Sequence, residues 1–307
     1  MGFSGRLQTI ILSLCLGVSN IATAKSLALS FDDGLDPLTN PEARQINDDI
    51  LSTLKKNRVH AIVYPSISKI GGKEGLDIIS KWGREGHRIG NHGNLHLNLN
   101  KNEVNLSDYL KDIQQAHQAF SSLNGFVPRY RFPFLKEGNT QEKRDGVRKW
   151  IADHHYQSGA VSIDASDWYY NQLFLKYQQE NDQSSLDKLK QAYIFHLLDR
   201  AKYYDDLAIQ TLGRSPKHIL LLHVRAINAA WLEDIIFSFN KQGWTLIDSD
   251  TAYQDPIYKI QPELLPAGES IVWNIAQIYG VKNLRYPAED APYEYSNLRK
   301  FGLSITH

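Results

Sequence analysis

Residues 26–34 read SLALSFDDG, a short apolar run that ends in two adjacent aspartates and a glycine. This run predicts a strand over 26–31, with Asp32 and Asp33 at its carboxyl end. A second predicted strand ends in NHGNLH, residues 91–96, which adds His92 and His96. One carboxylate and two neutral imidazoles can hold a divalent metal with an open position, and the other carboxylate is then free to act as a base. The two motifs therefore indicate a metal-assisted hydrolase.

Short β-like runs alternate with helical patterns along the chain. The predicted strands are 26–31, 60–64, 88–91, 129–132, 159–163, 219–223 and 245–247, and the predicted helices are about 41–56, 73–85, 106–123, 140–153 and 228–241. Repeated βα units of this kind predict a parallel barrel or a doubly wound sheet. In both architectures the chemistry gathers at the carboxyl ends of the strands, where the aspartates, His92, Arg131 and His223 fall.

Two regions of the chain are additional to the strands and helices that a minimal barrel needs. Residues 170–217 are charged and helical with one apolar face, which predicts one or two helices packed outside the barrel. Residues 255–307 are rich in Pro and Tyr and contain a short amphipathic segment, 270–279. We expect a single barrel domain over 25–254, with 170–217 inserted in it and 255–307 packed on its outside as a C-terminal extension.

The first 24 residues are typical of a secretory signal peptide. An apolar run covers 9–18, and Ala22-Thr23-Ala24 supplies the small residues of a cleavage site. The alternative is an N-terminal membrane anchor, but the run is well short of the ~20 residues that span a bilayer. We therefore expect cleavage after Ala24 and an exported, periplasmic or extracellular product. Cleavage also removes Cys15, the only cysteine, so no disulfide is expected.

The charge balance argues against some classes of partner. The chain has 34 Lys and Arg against 34 Asp and Glu, so neither a nucleic acid nor an acidic membrane surface is indicated. Beyond the first 24 residues no segment approaches the length of a membrane span, so we expect no stable membrane insertion.

Five motifs in order resemble those of the polysaccharide deacetylases, the NodB-homology or carbohydrate esterase family four proteins. The five segments are 30–34 (SFDDG), 92–96 (HGNLH), 131–134 (RFPF), 164–168 (DASDW) and 221–223 (LLH). The resemblance covers about 26–250. It implies an α/β fold, a distorted (β/α)7 barrel, and the removal of acetyl groups from glycans with a divalent metal.

By this resemblance Asp33, His92 and His96 are the metal ligands and Asp32 is the general base. Two imidazoles and a carboxylate favour zinc among the divalent metals. Gly93 departs from the family pattern, which usually has Ser or Thr after the first metal histidine.

Arg131 is expected to pair with Asp32 and to keep the pKa of its carboxyl low enough for ionisation at neutral pH. Arg129, on the same strand face, is the competing candidate. Pro133 lacks an N–H group, so the backbone N–H of Phe134 is the nearest donor for an oxyanion.

His223 is expected to act as the general acid, with a neighbouring carboxylate that raises its pKa. We expect Asp167 to be that partner, with Asp164 as the alternative. Trp168 and Tyr64 either line the sugar site or belong to the core.

Three functions fit these motifs. The first is an N-deacetylase acting on N-acetylated glycans. The second is an esterase that removes O-acetyl groups from acetylated polysaccharides with the same metal and base. The third is a non-catalytic glycan-binding protein on the same barrel, which the intact set of motif residues argues against.

Overall fold

The run at residues 26–34 forms the central strand of a parallel sheet. The computed structural model describes residues 25–285, 287–288 and 290–303, so the predicted signal peptide lies outside the described residues. The strands of the main sheet are β1 (Lys25–Asp33), β2 (Ile62–Pro65), β3 (Arg88–Asn91), β4 (Phe126–Tyr130), β6 (Gln157–Ser158), β7 (Lys217–His223) and β8 (Trp244–Leu246). A two-stranded sheet contains β5 (Lys136–Gly138) and β9 (Ala267–Gly268).

Helices connect these strands and cover the sheet. They are α1 (Ala43–Lys56), α2 (Ile67–Ile70), α3 (Lys73–Arg84), α4 (Leu106–Phe120), α5 (Gln141–Asp153), α6 (Asp167–Gln179), α7 (Gln183–Leu212), α8 (Ala226–Lys241), α9 (Ser249–Ala252), α10 (Ile271–Ile278) and α11 (Tyr295–Lys300). Short 3₁₀ turns cover Pro133–Leu135, Pro256–Lys259 and Ala291–Glu294. None of the helices in the described part of the chain has the length and apolar character needed to cross a membrane.

The strand order is β6-β4-β3-β2-β1-β7, and β8 pairs with the first residues of β1. The chain after β6 leaves β4 and crosses to β7, where Ile163 pairs with Leu220. This crossing closes the sheet. The fold is a distorted (β/α)7 barrel in a single domain, as the sequence predicted.

The crossing also explains two strands whose bounds differ from the prediction. The strand paired with β4 is Gln157–Ser158, before the predicted 159–163, and the N–H of Gly159 still donates to the carbonyl of Tyr130. The chain then turns toward β7, where the N–H groups of Ser162 and Ile163 donate to the carbonyl of Ile219. The prediction of 129–132 was shifted, since the strand is Phe126–Tyr130. It contains Pro128, a residue that normally argues against a strand interior.

Helix positions follow the apolar stripes of the sequence. In α4 the buried side chains include Ile113, Ala116 and Phe120, and the side chain of Asn105 caps the helix by accepting the N–H of Asp108. The predicted helical region 170–217 forms α6 and α7. The longer helix, α7, ends at Gly213, whose φ of 72° is the left-handed conformation that glycine tolerates best.

The parallel register places the motif residues at one rim of the barrel. In the pairing of β1 with β7, Asp32 stands opposite His223, and in the pairing with β2, Asp33 stands opposite Pro65. The N–H of His92, just after β3, donates to the carbonyl of Pro65 at 3.1 Å. The carboxyl ends of the strands therefore bring residues from distant parts of the sequence to one place.

Candidate active site

Asp33, His92 and His96 form one cluster at this rim. One ligand atom from each, a carboxylate oxygen or a ring nitrogen, lies within 4.8 Å of the other two. The Oδ1 atom of Asp33 is 3.2 Å from Nε2 of His96 and 3.9 Å from Nε2 of His92. Among the described residues, this is the group of histidines and acids arranged closely enough to hold a metal ion.

The chemistry of this donor set fits a divalent metal. Nδ1 of His92 lies 2.7 Å from the carbonyl oxygen of Arg131, which can only accept, so the proton is on Nδ1 and the lone pair of Nε2 faces the cluster. Burial holds the pKa of His92 well below its usual value, which keeps the ring neutral as a ligand must be. Oδ1 of Asp33 is buried and has no hydrogen-bond partner within the described residues.

Arg225 is a contact that the motifs did not predict. Its Nη2 donates to Oδ2 of Asp33 at 2.7 Å, so the other oxygen remains directed toward the two histidines. Burial raises the pKa of the Asp33 carboxyl, but the neighbouring His96, His223 and Arg225 outweigh burial and hold the pKa below its usual range. The carboxylate is therefore ionised and fixed in orientation.

A buried carboxylate on α4 holds the segment that carries the two histidines. Asp112 accepts the backbone N–H groups of Asn94 and Leu95 at 2.8 and 2.7 Å. Gly93 has φ of 80°, and a Cβ atom there would lie 2.5 Å from Oδ2 of Asp112. This close approach explains the glycine where the family pattern has Ser or Thr. The sequence signal for Asp112 was an acidic residue on the buried stripe of a helix.

Arg131 is the arginine that contacts Asp32. Nη1 of Arg131 lies 2.9 Å from Oδ1 and 3.1 Å from Oδ2 of the carboxylate, and both side chains are buried. The competing candidate, Arg129, stacks its guanidinium on Tyr253 and donates to Gln157.

The pKa of Asp32 differs from the expectation. Burial raises it to about 6, and the opposing charge of Arg131 is not sufficient to bring it back to its usual value. The sequence could not show that burial of the carboxyl would exceed the effect of its partner. At neutral pH Asp32 is nevertheless mostly ionised, with a proton affinity close to that of the medium.

His223, which is partly buried, and Asp167, which is fully buried, form a second pair at the rim. Nδ1 of His223 lies 2.7 Å from Oδ1 of Asp167. Burial lowers the pKa of His223, but the Asp167 carboxylate raises it by more than burial lowers it, so that the pKa is about 9. Asn228 on α8 also donates to Asp167, at 2.8 Å, and was not predicted. The alternative partner, Asp164, instead accepts the N–H of Ala288 at 3.0 Å.

These groups line a cavity of about 630 Å³. Phe134 and Trp168 both lie on its wall, and Phe134 is 54% exposed, with its ring centroid 4.6 Å from that of His96. Tyr64 is not on the wall, because its ring is buried inside the barrel beneath the guanidinium of Arg131.

Backbone strain is concentrated around this cavity. Nine non-glycine residues of the described chain have positive φ. Five of them line the cavity: Asp33, His96, Phe134, Leu135 and Glu269. Strained conformations are unfavourable and tend to persist at sites where function requires a particular geometry.

Comparisons with known proteins point to the polysaccharide deacetylases. A model of the polysaccharide deacetylase family matches residues 19–155. Over 143 residues the chain is 30% identical to a peptidoglycan-N-acetylglucosamine deacetylase of Bacillus cereus, covering 46% of each chain. Over 176 residues it is 26% identical to a chitin deacetylase of Colletotrichum lindemuthianum, covering 55% of this chain and 64% of the relative. The chain thus spans about half to two thirds of the length of these relatives.

Solved structures share the fold at low sequence identity. A CE4 family pseudoenzyme from Bacillus anthracis superposes with a TM-score of 0.52 and 16% identity, covering 75% of this chain and 66% of the other. A CE4 esterase of Streptococcus mutans superposes with a TM-score of 0.51 and 20% identity, covering 74% and 86%. Sequence motifs, family model and fold agree: residues 19–155 match the polysaccharide deacetylase family, and the barrel has the fold of CE4 structures.

Proposed function

We propose that this protein is a metal-dependent carbohydrate deacetylase that hydrolyses the acetyl amide groups of N-acetylated glycans. One observation carries the proposal. Around a single cavity, the Asp33, His92 and His96 cluster is flanked by Asp32, whose pKa is about 6, and by His223, whose pKa is about 9. Burial and neighbouring charges raise both pKa values, but one ends below and the other above neutrality, so a base and an acid are both available beside the ligand set, as acid–base hydrolysis requires.

The proposed cofactor is a divalent ion, zinc by preference, held by Asp33, His92 and His96. When bound, such an ion acts as a Lewis acid toward the acetyl carbonyl and makes water more acidic. Within the chain, Arg225 and the carbonyl of Arg131 hold two of the three ligands in orientation, which is the role that hydrogen-bond partners of metal ligands usually have.

Asp32 is the proposed general base. Oδ2 of Asp32 lies 3.7 Å from Nε2 of His92, so the carboxylate faces the position where water would be activated. Arg131 fixes its orientation through Nη1. A pKa of about 6 leaves Asp32 ionised at neutral pH and still basic enough to accept a proton from the attacking water.

His223 is the proposed general acid. With its pKa raised to about 9, the ring is protonated at neutral pH, and Asp167 binds the Nδ1–H. The proton on Nε2 can then be transferred to the departing amine of the sugar. Protonation is needed because an amine anion is a poor leaving group.

Phe134 and Trp168 have proposed roles in substrate binding. The backbone N–H of Phe134 is the proposed donor to the oxyanion, and the exposed ring offers an apolar surface to a sugar. Trp168 lines the cavity while its Nε1–H donates to the carbonyl of Ala288 at 3.2 Å, which fixes the plane of the indole.

The glycan substrate is proposed from the relatives. Their names state that they deacetylate peptidoglycan N-acetylglucosamine and chitin, both of which carry acetyl amides. We also propose export, with cleavage after Ala24, because the short apolar run at residues 9–18 is followed by the small residues Ala22-Thr23-Ala24. N-terminal sequencing of the exported protein tests this cleavage, and an intact Met1 on a membrane-bound product would contradict it.

The proposed function is tested by incubating the purified protein with chitooligosaccharides, peptidoglycan and acetylated xylan, and measuring acetate together with new free amines. We expect acetate and amine in equal amounts from the first two. Acetate without amine, released from xylan alone, would identify an O-acetyl esterase. Specific glycan binding with no acetate from any substrate would identify the non-catalytic alternative. The Asp32→Asn variant is the control, because it keeps the cavity but lacks the proposed base.

A further inference from the structure

The segment after β4 carries two consecutive residues in the left-handed region, Phe134 with φ of 58° and Leu135 with φ of 57°. Residues with a side chain avoid this region, so the surrounding structure must hold the segment in place. Phe134 matters most here, since it supplies the proposed oxyanion donor and its ring contacts His96.

The C-terminal extension, residues 255–307, contacts the backbone of this segment. The N–H of Glu269 donates to the carbonyl of Leu135 at 2.9 Å, and β9 pairs with β5 so that Gly268 stands opposite Lys136. A Cβ atom at Gly268 would lie 2.0 Å from the carbonyl oxygen of Leu135. Only glycine permits this approach, so the two backbones are fitted to each other.

A buried ion pair joins the same two segments. The carboxylate of Glu269 contacts the ammonium of Lys136, and only 14% and 16% of the two side chains are exposed. Both residues line the cavity of the proposed active site, and Glu269 itself has φ of 74°. Shielding from water leaves the attraction between the two charges little screened, while the same burial raises the pKa of Glu269 to about 7.

We propose that Glu269 is a positioning residue for the deacetylation reaction, acting through Lys136 to keep the backbone of Phe134 and Leu135 in the geometry needed at the oxyanion. This inference rests on the proposed function. It gives the C-terminal extension, which lies outside the 19–155 match to the family model, a direct part in building the active site.

The kinetic test uses Glu269→Gln, Lys136→Met and the double variant, with Glu263→Gln as control, because Glu263 lies in the same extension and is exposed. A contact made only in the transition state affects kcat rather than KM. A displacement on the order of 1 Å can cost ~10²-fold, so we expect kcat of Glu269→Gln to fall roughly 10- to 100-fold with KM within about twofold. The double variant should be no slower than the slower single variant, because both remove the same pair.

Hydrogen exchange of the peptide covering 132–140 provides a second measurement that does not need activity. We expect faster exchange in this peptide for Glu269→Gln, with the other peptides of the barrel unchanged, and no change for the control. A kcat equal to that of the control, additive losses in the double variant, or unchanged exchange in 132–140 would overturn the proposal. If the wild-type protein released no acetate, the proposed function would fail, and the exchange measurement would still decide whether Glu269 holds this segment.

Discussion

Asp167 contacts His223 twice: its Oδ1 lies 2.7 Å from Nδ1 of the ring, and its Oδ2 accepts the backbone N–H of the same residue at 2.7 Å. The carboxylate therefore fixes both the position of the residue and the orientation of its imidazole. Because Asp167 is fully buried, its charge acts on the ring with little screening.

The pH profile of kcat/KM should be bell-shaped. Activity should fall as pH drops through about 6, where Asp32 becomes protonated, and as pH rises through about 9, where His223 loses its proton. Replacing Asp167 by Asn removes the charge that raises the pKa of His223, so the alkaline limb should move to lower pH. Steady-state rates between pH 4 and 11 measure both limbs.

Asp164→Asn is the matched control for this shift. Asp164 lines the same cavity and is buried, but its Oδ2 accepts a backbone N–H and does not contact His223. Its alkaline limb should stay near that of the wild type. If the alkaline limb moved further in Asp164→Asn than in Asp167→Asn, Asp164 and not Asp167 would be the carboxylate that raises the pKa of His223.

The adjacent aspartates should respond differently to the same substitution. Asp32→Asn should lower turnover by ~10²–10⁴-fold, the usual contribution of a general base, while metal content stays near normal. Asp33→Asn should lose most of the metal as well, because an amide oxygen is a weaker ligand than a carboxylate. Metal analysis and rates on both variants separate the two roles. If Asp32→Asn lost the metal and Asp33→Asn kept it, the roles of the two carboxylates would be the reverse of those proposed.

Arg225 should affect metal retention. Arg225→Met frees Oδ2 of Asp33, and loss of such a partner typically weakens metal affinity by ~10–100-fold. Competition with a chromophoric chelator measures the affinity without reference to activity. Lys69→Met is the control, because Lys69 is another cation on the cavity wall. Equal affinities in the two variants, or tighter binding in Arg225→Met, would show that the contact with Asp33 does not support the metal.

The barrel and its rim were predictable because each relevant motif ends a strand. Parallel strands gather their carboxyl ends, so Asp33 and His92 had to meet once both strands were identified. The pairing of His223 with Asp167 could be proposed because both lie in motifs of the family.

Other contacts were not predictable because their partners are remote and carry no motif. Arg225 is 192 residues from Asp33, and Lys136 is 133 residues from Glu269. The pKa of Asp32 could not be predicted from the sequence either, because it depends on the balance between burial of the carboxyl and the charge of Arg131. Pattern identifies residues at strand ends, whereas the tertiary fold decides which additional charges reach them.

Acetate release from an N-acetylated oligosaccharide, measured before chelation, after complete removal of divalent metal and after addition of zinc, tests the central claim most directly. We expect release by the metal-loaded protein, loss of nearly all activity on chelation, and recovery with about one equivalent of zinc per chain, as a single Asp33, His92 and His96 cluster predicts. His92→Ala should not recover with zinc. Full acetate release by the metal-free protein would contradict the account.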